Sequence, residues 1–198
     1  MTTAQAVDAP CLARLFTEAR THFEFSPDPV PSELLQRVYE LASLGPTSMN
    51  CQPARFVFVA SASGRDRLLP HVLPGNQPKV LSAPVTVIVA RDMRFYEFMP
   101  TVWHVPGARE NFEAKPELAR ATAVRNATLT GGYLLMAARS LGLACGPMSG
   151  IDAAGIDRAF FPDGRWQTDF LMNLGWPAGA NPFPRGHRLA FADACMLA

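Results

Sequence analysis

Gly45-Pro46-Thr47-Ser48-Met49-Asn50-Cys51-Gln52-Pro53 is the stretch on which the reading of this chain turns. It follows an amphipathic run carrying Leu34, Leu35, Val38, Leu41 and Ala42, and precedes an apolar, strand-like run, Phe56-Val57-Phe58-Val59. Pro46 has no backbone N–H and biases Gly45 away from helix, so the helix is expected to stop there. Thr47, Ser48, Asn50 and Gln52 then sit between two prolines where a helix hands over to a strand. A rigid loop presenting hydroxyls, amides and free backbone N–H groups suits a polar ligand with many acceptors. Read alone, it is more simply a polar connector.

Outward from that loop, helical and extended patterns alternate. Residues 9 to 20 read as a helix with Leu12, Leu15, Phe16 and Ala19 on one face; a second helix opens at Pro31-Ser32-Glu33 and ends at Gly45. A strand is expected at 56 to 60, then a short helix with Leu68 and Leu69 inward, and a turn at Pro74-Gly75-Asn76 leading into a helical segment to about Ser82. Val85-Thr86-Val87-Ile88-Val89, β-branched throughout, reads as a strand buried on both faces. Residues 92 to 115, with Phe95, Tyr96, Phe98, Trp103, His104 and Pro106, read as short helices or a mobile flap.

The longest helical pattern runs from Pro116 to about Leu141, with Gly142 as its stop. Inside it, Gly131 and Gly132 each cost about 1 kcal/mol against Ala, which points either to a packing reason or merely to a crowded core helix. Leu143 to Cys145 reads as a short strand leading into Gly146-Pro147-Met148-Ser149-Gly150, after which Asp152 caps a helix to Phe161. Trp166 to Asn173 is the last central strand, and a tail rich in Pro and Arg extends from about 181. Strands separated by helices, with helix dominating, predict an α/β (α+β layered) fold in a single domain over 1–198, whose long helix could form the centre of a dimer.

Composition removes several classes of function. Charged residues are 18% of the 198, against roughly 25% in a typical soluble domain, which fits a surface partly buried against a partner. A net charge of +1 offers no basic field to nucleic acid. The longest apolar run, Val80 to Ala90, is broken by Ser82, Pro84 and Thr86 and falls short of the about 20 residues a membrane span needs. No secretory pattern opens the chain, and Cys11, Cys51, Cys145 and Cys195 are scattered, so reduced thiols in the cytoplasm are expected. The four histidines are dispersed without metal-ligand spacing.

The nonapeptide resembles the Pro-Ser-x-x-Asn-x-Gln-Pro signature of the FMN-dependent nitroreductase superfamily, in which the loop lies against the flavin in a pocket shared by two subunits. Four further segments resemble that family's flavin contacts, in its order. Arg20-Thr21-His22 is similar to the Arg-Ser-x-Arg clamp on phosphate and ribityl, guanidinium being suited to phosphate; Phe23 stands where the second Arg would be. Asn76 and Lys79 resemble a pair that binds the flavin pyrimidine, where a cation stabilises the reduced ring. Pro147, Met148, Ser149 and Gly150, after Leu141-Gly142-Leu143, resemble the loop along the ring edge, with Gly146 and Gly150 permitting close approach. Arg185 and Arg188 resemble a terminal basic pair on the FMN phosphate, Arg188 more closely.

The resemblance covers about residues 12 to 195 and implies a central, mostly antiparallel sheet flanked by helices. It also implies a homodimer with long central helices, FMN at the subunit interface, and NADH or NADPH as co-substrate. Ala54 replaces the Trp that commonly follows Gln-Pro in nitroaromatic reductases. With Ala19-Arg20-Thr21-His22 and Gly146-Pro147-Met148-Ser149-Gly150, that variation resembles the malonic semialdehyde reductase branch. The implied reaction is ping-pong: hydride passes from NAD(P)H to flavin N5 and then to a short-chain aldehyde, with Tyr96, His104 or water as proton donor. A broad nitroaromatic and quinone reductase and a non-catalytic flavin-binding dimer are the alternatives. A hydrolase using Cys51 or Cys145 has no evident charge near either thiol and no ordered triad.

Overall fold

Val85 to Ala90 are buried at every position, and the rest of the molecule is arranged around them. The computed structural model describes residues 6–198. In chain order it runs through α1 (Ala9–Leu12), widening into a π-type turn over Ala13–Thr17, α2 (Ser32–Ser43), β1 (Ala54–Val59), α3 (Ala62–Leu68), α4 (Gln77–Ser82) and β2 (Val85–Asp92). There follow α5 (Met99–Val102), α6 (Ala108–Glu113), α7 (Pro116–Ser140), β3 (Ala144–Met148), α8 (Ala153–Phe160), β4 (Trp166–Gly175) and α9 (Phe191–Ala194). The four strands form one sheet in the order β1-β2-β4-β3, every neighbouring pair antiparallel.

Strand periodicity explains the layers, because alternate side chains point to opposite faces. Val85, Val87 and Val89 pack with Val38 and Ala42 of α2 and Leu134 and Ala138 of α7. Ile88 and Ala90 point the other way, onto Leu68 of α3, Val80 of α4 and Ile156 of α8. A third cluster joins Phe95, Met99 and Phe112 to Cys51 and to Ala119 and Ala123 of α7. The segment after β2 is therefore made of the short helices expected, including a 3-10 turn over Phe95–Phe98, and it is packed against the Pro46–Pro53 loop.

Two boundaries differ from the sequence reading. Arg20, Thr21 and His22 do not end the first helix: helical geometry stops at Thr17, and the His22 N–H donates to the Cys145 carbonyl at 3.0 Å, tying this stretch to β3. Gly146, Pro147 and Met148 belong to β3 rather than to a loop, opposite Asn173, Met172 and Leu171. Pro147 is tolerated because β3 is an edge strand, where a missing N–H leaves no neighbour unpaired.

The adjacent glycines of α7 do different things. A Cβ on Gly131 would lie 2.8 Å from Phe170 Cζ and 3.2 Å from Val89 Cγ1, so the α7 backbone rests directly on side chains of the sheet there. A Cβ on Gly132 would meet nothing within 4 Å. Both substitutions by Ala gain the same helix propensity, so Gly131→Ala should be less stable than Gly132→Ala by about 1–3 kcal/mol in urea unfolding. Equal midpoints would contradict the close approach.

Candidate functional site

Arg20, Arg139, Arg185 and Arg188 converge on one cavity of about 460 Å³, together with Thr21, Phe23, Asn181 and Phe183. No acidic side chain lines it, and among the described residues none of the four arginines is paired with a carboxylate. They use backbone carbonyls instead. Arg20 Nη2 donates to Phe183 O at 2.7 Å, Arg185 Nη2 to Thr17 O at 2.6 Å and Ala19 O at 3.0 Å, and Arg139 Nη1 to Leu15 O at 3.3 Å. Arg188 Nη1 turns back on its own tail, to Gly186 O and His187 O. Asn181 Nδ2 donates to Thr21 O at 2.7 Å and closes the tail over the opening. Four guanidinium groups around a hollow without a counter-charge make a site for an anion with several oxygens.

Arg139 is absent from the sequence reading. Its signal is that the thirteen residues before it, 126 to 138, carry no charge at all, which leaves one cation in the last turn of an uncharged half-helix. His22 lies beside the same cluster, its Nδ1–H donating to Arg20 O at 3.2 Å. Burial pushes its pKa below the usual histidine value, and the charges of Arg139 and Arg20 push the same way.

The second group is continuous with the first. Lys79 Nζ donates to Asn76 Oδ1 at 2.9 Å, and Asn76 Nδ2 donates to Gly150 O at 3.2 Å. Asn173 Nδ2 holds the Lys79 carbonyl at 2.9 Å while its Oδ1 accepts from Thr86 Oγ1 at 2.7 Å, which fixes the pair to the sheet. Phe23 fills the position of the absent second arginine in a different way: its ring lies 4.8 Å from Lys79 Nζ and packs edge-on against Phe183. Arg20 and Lys79 are thus bridged by an aromatic wall. Along it, β3 and the residues after it present Pro147, Met148, exposed Ser149 and Gly150. Side chains are excluded by contact: a Cβ on Gly146 would sit 2.7 Å from His22 O, and one on Gly150 would sit 2.5 Å from Asn76 Nδ2.

Pro46, Thr47, Ser48, Asn50 and Gln52 do not join these residues. Their loop leads into β1, at the opposite edge of the sheet from β3, three strand spacings or about 14 Å away. Met49, Asn50 and Gln52 have φ of +53°, +52° and +40°, a left-handed conformation that costs non-glycine residues about 1–3 kcal/mol each. The loop is held from below: Asn126 Oδ1 of α7 accepts from the Ser48 N–H at 2.9 Å, Thr47 Oγ1 from the Gln52 N–H at 3.2 Å, and Val102 O from Asn50 Nδ2 at 3.0 Å. Pro46, Ser48 and Asn50 remain exposed.

Tyr96 packs edge-on against Phe95, and the His104 ring lies tilted against Trp103 with centroids 4.4 Å apart, both on the short-helix segment rather than in the arginine cavity. Burial pushes the Cys51 thiol up to about 11 and Cys145 up to about 12, so neither supplies a thiolate near neutral pH. No helix among the described residues is long and apolar enough to cross a membrane.

Fold and site together define a three-layer α/β domain with an arginine-lined anion cavity at one sheet edge and a strained polar loop at the other. Residues 17–176 match the model of the nitroreductase family, and the chain belongs to that family. Over 188 residues it is 48% identical to the "Putative NADH dehydrogenase/NAD(P)H nitroreductase" of Rhodopseudomonas palustris, covering 95% of this chain and 96% of that one. It is 44% identical over 194 residues to the protein of the same name from Polynucleobacter asymbioticus, covering 98% and 99%. The crystal structure of a "putative nitroreductase in complex with FMN" from Exiguobacterium sibiricum superposes over the full length of both chains with a TM-score of 0.85 at 21% identity, a likeness of fold.

The lowered pKa of His22 has a signed consequence. The unfolded chain takes up this proton first, at about pH 6.5, so the native state loses stability as pH falls below that value until His22 also charges in the fold. His22→Gln should flatten this part of the profile between about pH 7 and about pH 5 in urea midpoints. An unchanged slope would show that other groups carry it.

Proposed function

We propose that this protein is an FMN-dependent NAD(P)H oxidoreductase acting as a homodimer. The observation that carries the reading is the uncompensated arginine cavity lying next to the Asn76–Lys79 pair along a strand cleared by glycine. The residues fit FMN from end to end. Arg20, Arg139, Arg185 and Arg188 with Thr21 would hold the phosphate, Asn76 and Lys79 the pyrimidine end of the ring, and Pro147 to Gly150 its edge. Lys79 would supply positive charge to stabilise the reduced, anionic ring. When bound, FMN supplies the two-electron chemistry between a nicotinamide and an oxidised substrate.

The Thr47–Gln52 loop would reach that ring from a second copy, since within one chain it sits on the far edge of the sheet. The outward face of α7 supports such a pairing: Leu118, Val124, Leu129 and Tyr133 are all more than a third exposed, and Gly132 faces open space. Leu129→Glu should give a monomer by light scattering that also fails to retain FMN. A monomer that binds FMN at wild-type affinity would place the whole site in one chain.

For the substrate, the relatives' names point to nitro compounds, while the Gly146–Gly150 run and Ala54 support a short-chain aldehyde such as malonic semialdehyde. The purified protein should be yellow and bleach on addition of NADH or NADPH. A protein that takes up no FMN would end the reading, and a yellow protein that does not bleach would leave a flavin-binding module. A higher kcat/KM for malonic semialdehyde than for a nitroaromatic is expected of the aldehyde reductase, and the reverse order of a broad nitroreductase. Lys79→Ala should slow flavin reduction in stopped flow; an unaltered rate would remove that residue from its role.

A further inference from the structure

Asp92, at the end of β2, is fully buried, and its carboxylate is surrounded by donors that come from three parts of the chain. Arg55 Nη2 reaches Oδ2 at 2.7 Å, Arg165 Nε reaches Oδ1 at 3.1 Å and its Nη2 reaches Oδ2 at 3.1 Å, and the Arg94 N–H donates to Oδ1 at 2.9 Å. Arg165 Nη1 also pairs with Glu97 at 2.9 Å, and Arg94 Nε lies 3.8 Å from the same carboxylate, so three guanidinium groups meet two carboxylates in one cluster. The guanidinium groups of Arg55 and Arg165 lie over the Phe98 ring, at 5.3 Å and 5.7 Å from its centre.

Arg55 is the member that reaches the strained loop. Its Nη1 donates to Gln52 O at 3.0 Å and to Ala54 O at 2.8 Å, so one planar group holds the carbonyl of Gln52, at φ +40°, while anchored to a buried carboxylate. Asn50 is tied to Val102 on the same segment that Glu97 and Phe98 belong to. The loop and the Phe95–Val102 segment are therefore braced both by the Asn50–Val102 hydrogen bond and by the ion-pair cluster that holds Arg55.

We propose that Arg55 is a positioning residue: clamped by Asp92, it keeps Gln52 and Asn50 in the left-handed backbone conformation in which the loop meets its ligand. The inference rests on the reading of that loop as one wall of an FMN site. Lysine cannot replace Arg55, because an ammonium can keep the charge beside Asp92 but cannot span the carboxylate and two carbonyls with one rigid fork.

The test uses the full-length protein with saturating FMN, after an FMN titration of the wild type. In Arg55→Lys, FMN affinity and the rate of reduction by NAD(P)H should each fall by about tenfold to a hundredfold, and the visible band of bound FMN should shift. A variant that is only less stable would show the wild-type spectrum and rate once saturated, which would overturn the proposal. Because Arg55 acts in part through Gln52, Arg55→Lys combined with Gln52→Ala should lose less affinity than the sum of the two single losses, and fully additive losses would also overturn it. Arg55→Ala with added guanidinium ion serves as the second variant: recovery of the rate supports the clamp, and no recovery counts against it. Failure of the wild type itself to bind FMN sinks the functional reading instead, and the two failures are told apart at the first titration.

Discussion

A central strand with no access to water on either side sets the terms for this molecule. Once β2 must be covered on both faces, helices are required above and below the sheet, and the polar groups can only be hung from the edges and ends. The arginine cavity, the Lys79 network and β3 hang from one edge, and the left-handed loop hangs from the other. Two polar residues of the sheet interior serve this arrangement: Thr86 donates to Asn173, and Asn173 donates to the Lys79 carbonyl, so buried polar groups are satisfied and Lys79 is fixed to the sheet.

Charge is handled oppositely at the two edges. Around Asp92 it is met within the chain, the guanidinium groups of Arg55, Arg165 and Arg94 facing the carboxylates of Asp92 and Glu97. Around Arg20 it is left open, with carbonyl oxygens providing only partial compensation. The two basic clusters thus differ in their partners: carboxylates at Asp92 and Glu97 in one, backbone carbonyls alone in the other.

The long, strongly patterned elements were legible in the sequence. The β-branched run of β2, the amphipathic α2 ended by Gly45-Pro46, and α7 between Pro116 and Gly142 each carry their own stop signals. The misreadings have local causes. Gly146-Pro147 looks like a turn, and only the edge position of β3, a tertiary fact, lets a proline sit in a strand. Residues 18 to 20 continue the apolar spacing of the first helix, but the pairing of Thr21 and His22 with Cys145 pulls them straight. Among the site residues, the loop, the Asn76–Lys79 pair and the tail arginines stood out by motif. Arg139 did not, because a basic residue in a last helical turn has an ordinary explanation at the helix dipole. The Asp92 cluster was invisible for a different reason, its partners lying 37 and 73 positions away. Phe23, which looked like a lost contact, proved to be a support for Lys79.

Arg185 reaches across 168 and 166 positions to grip the carbonyls of Thr17 and Ala19. The anion cavity therefore draws its walls from segments far apart in the chain, which meet only in the fold. In an unfolded chain the same arginines are separate solvated charges, so the concentration of positive charge arises with the tertiary structure and disappears with it.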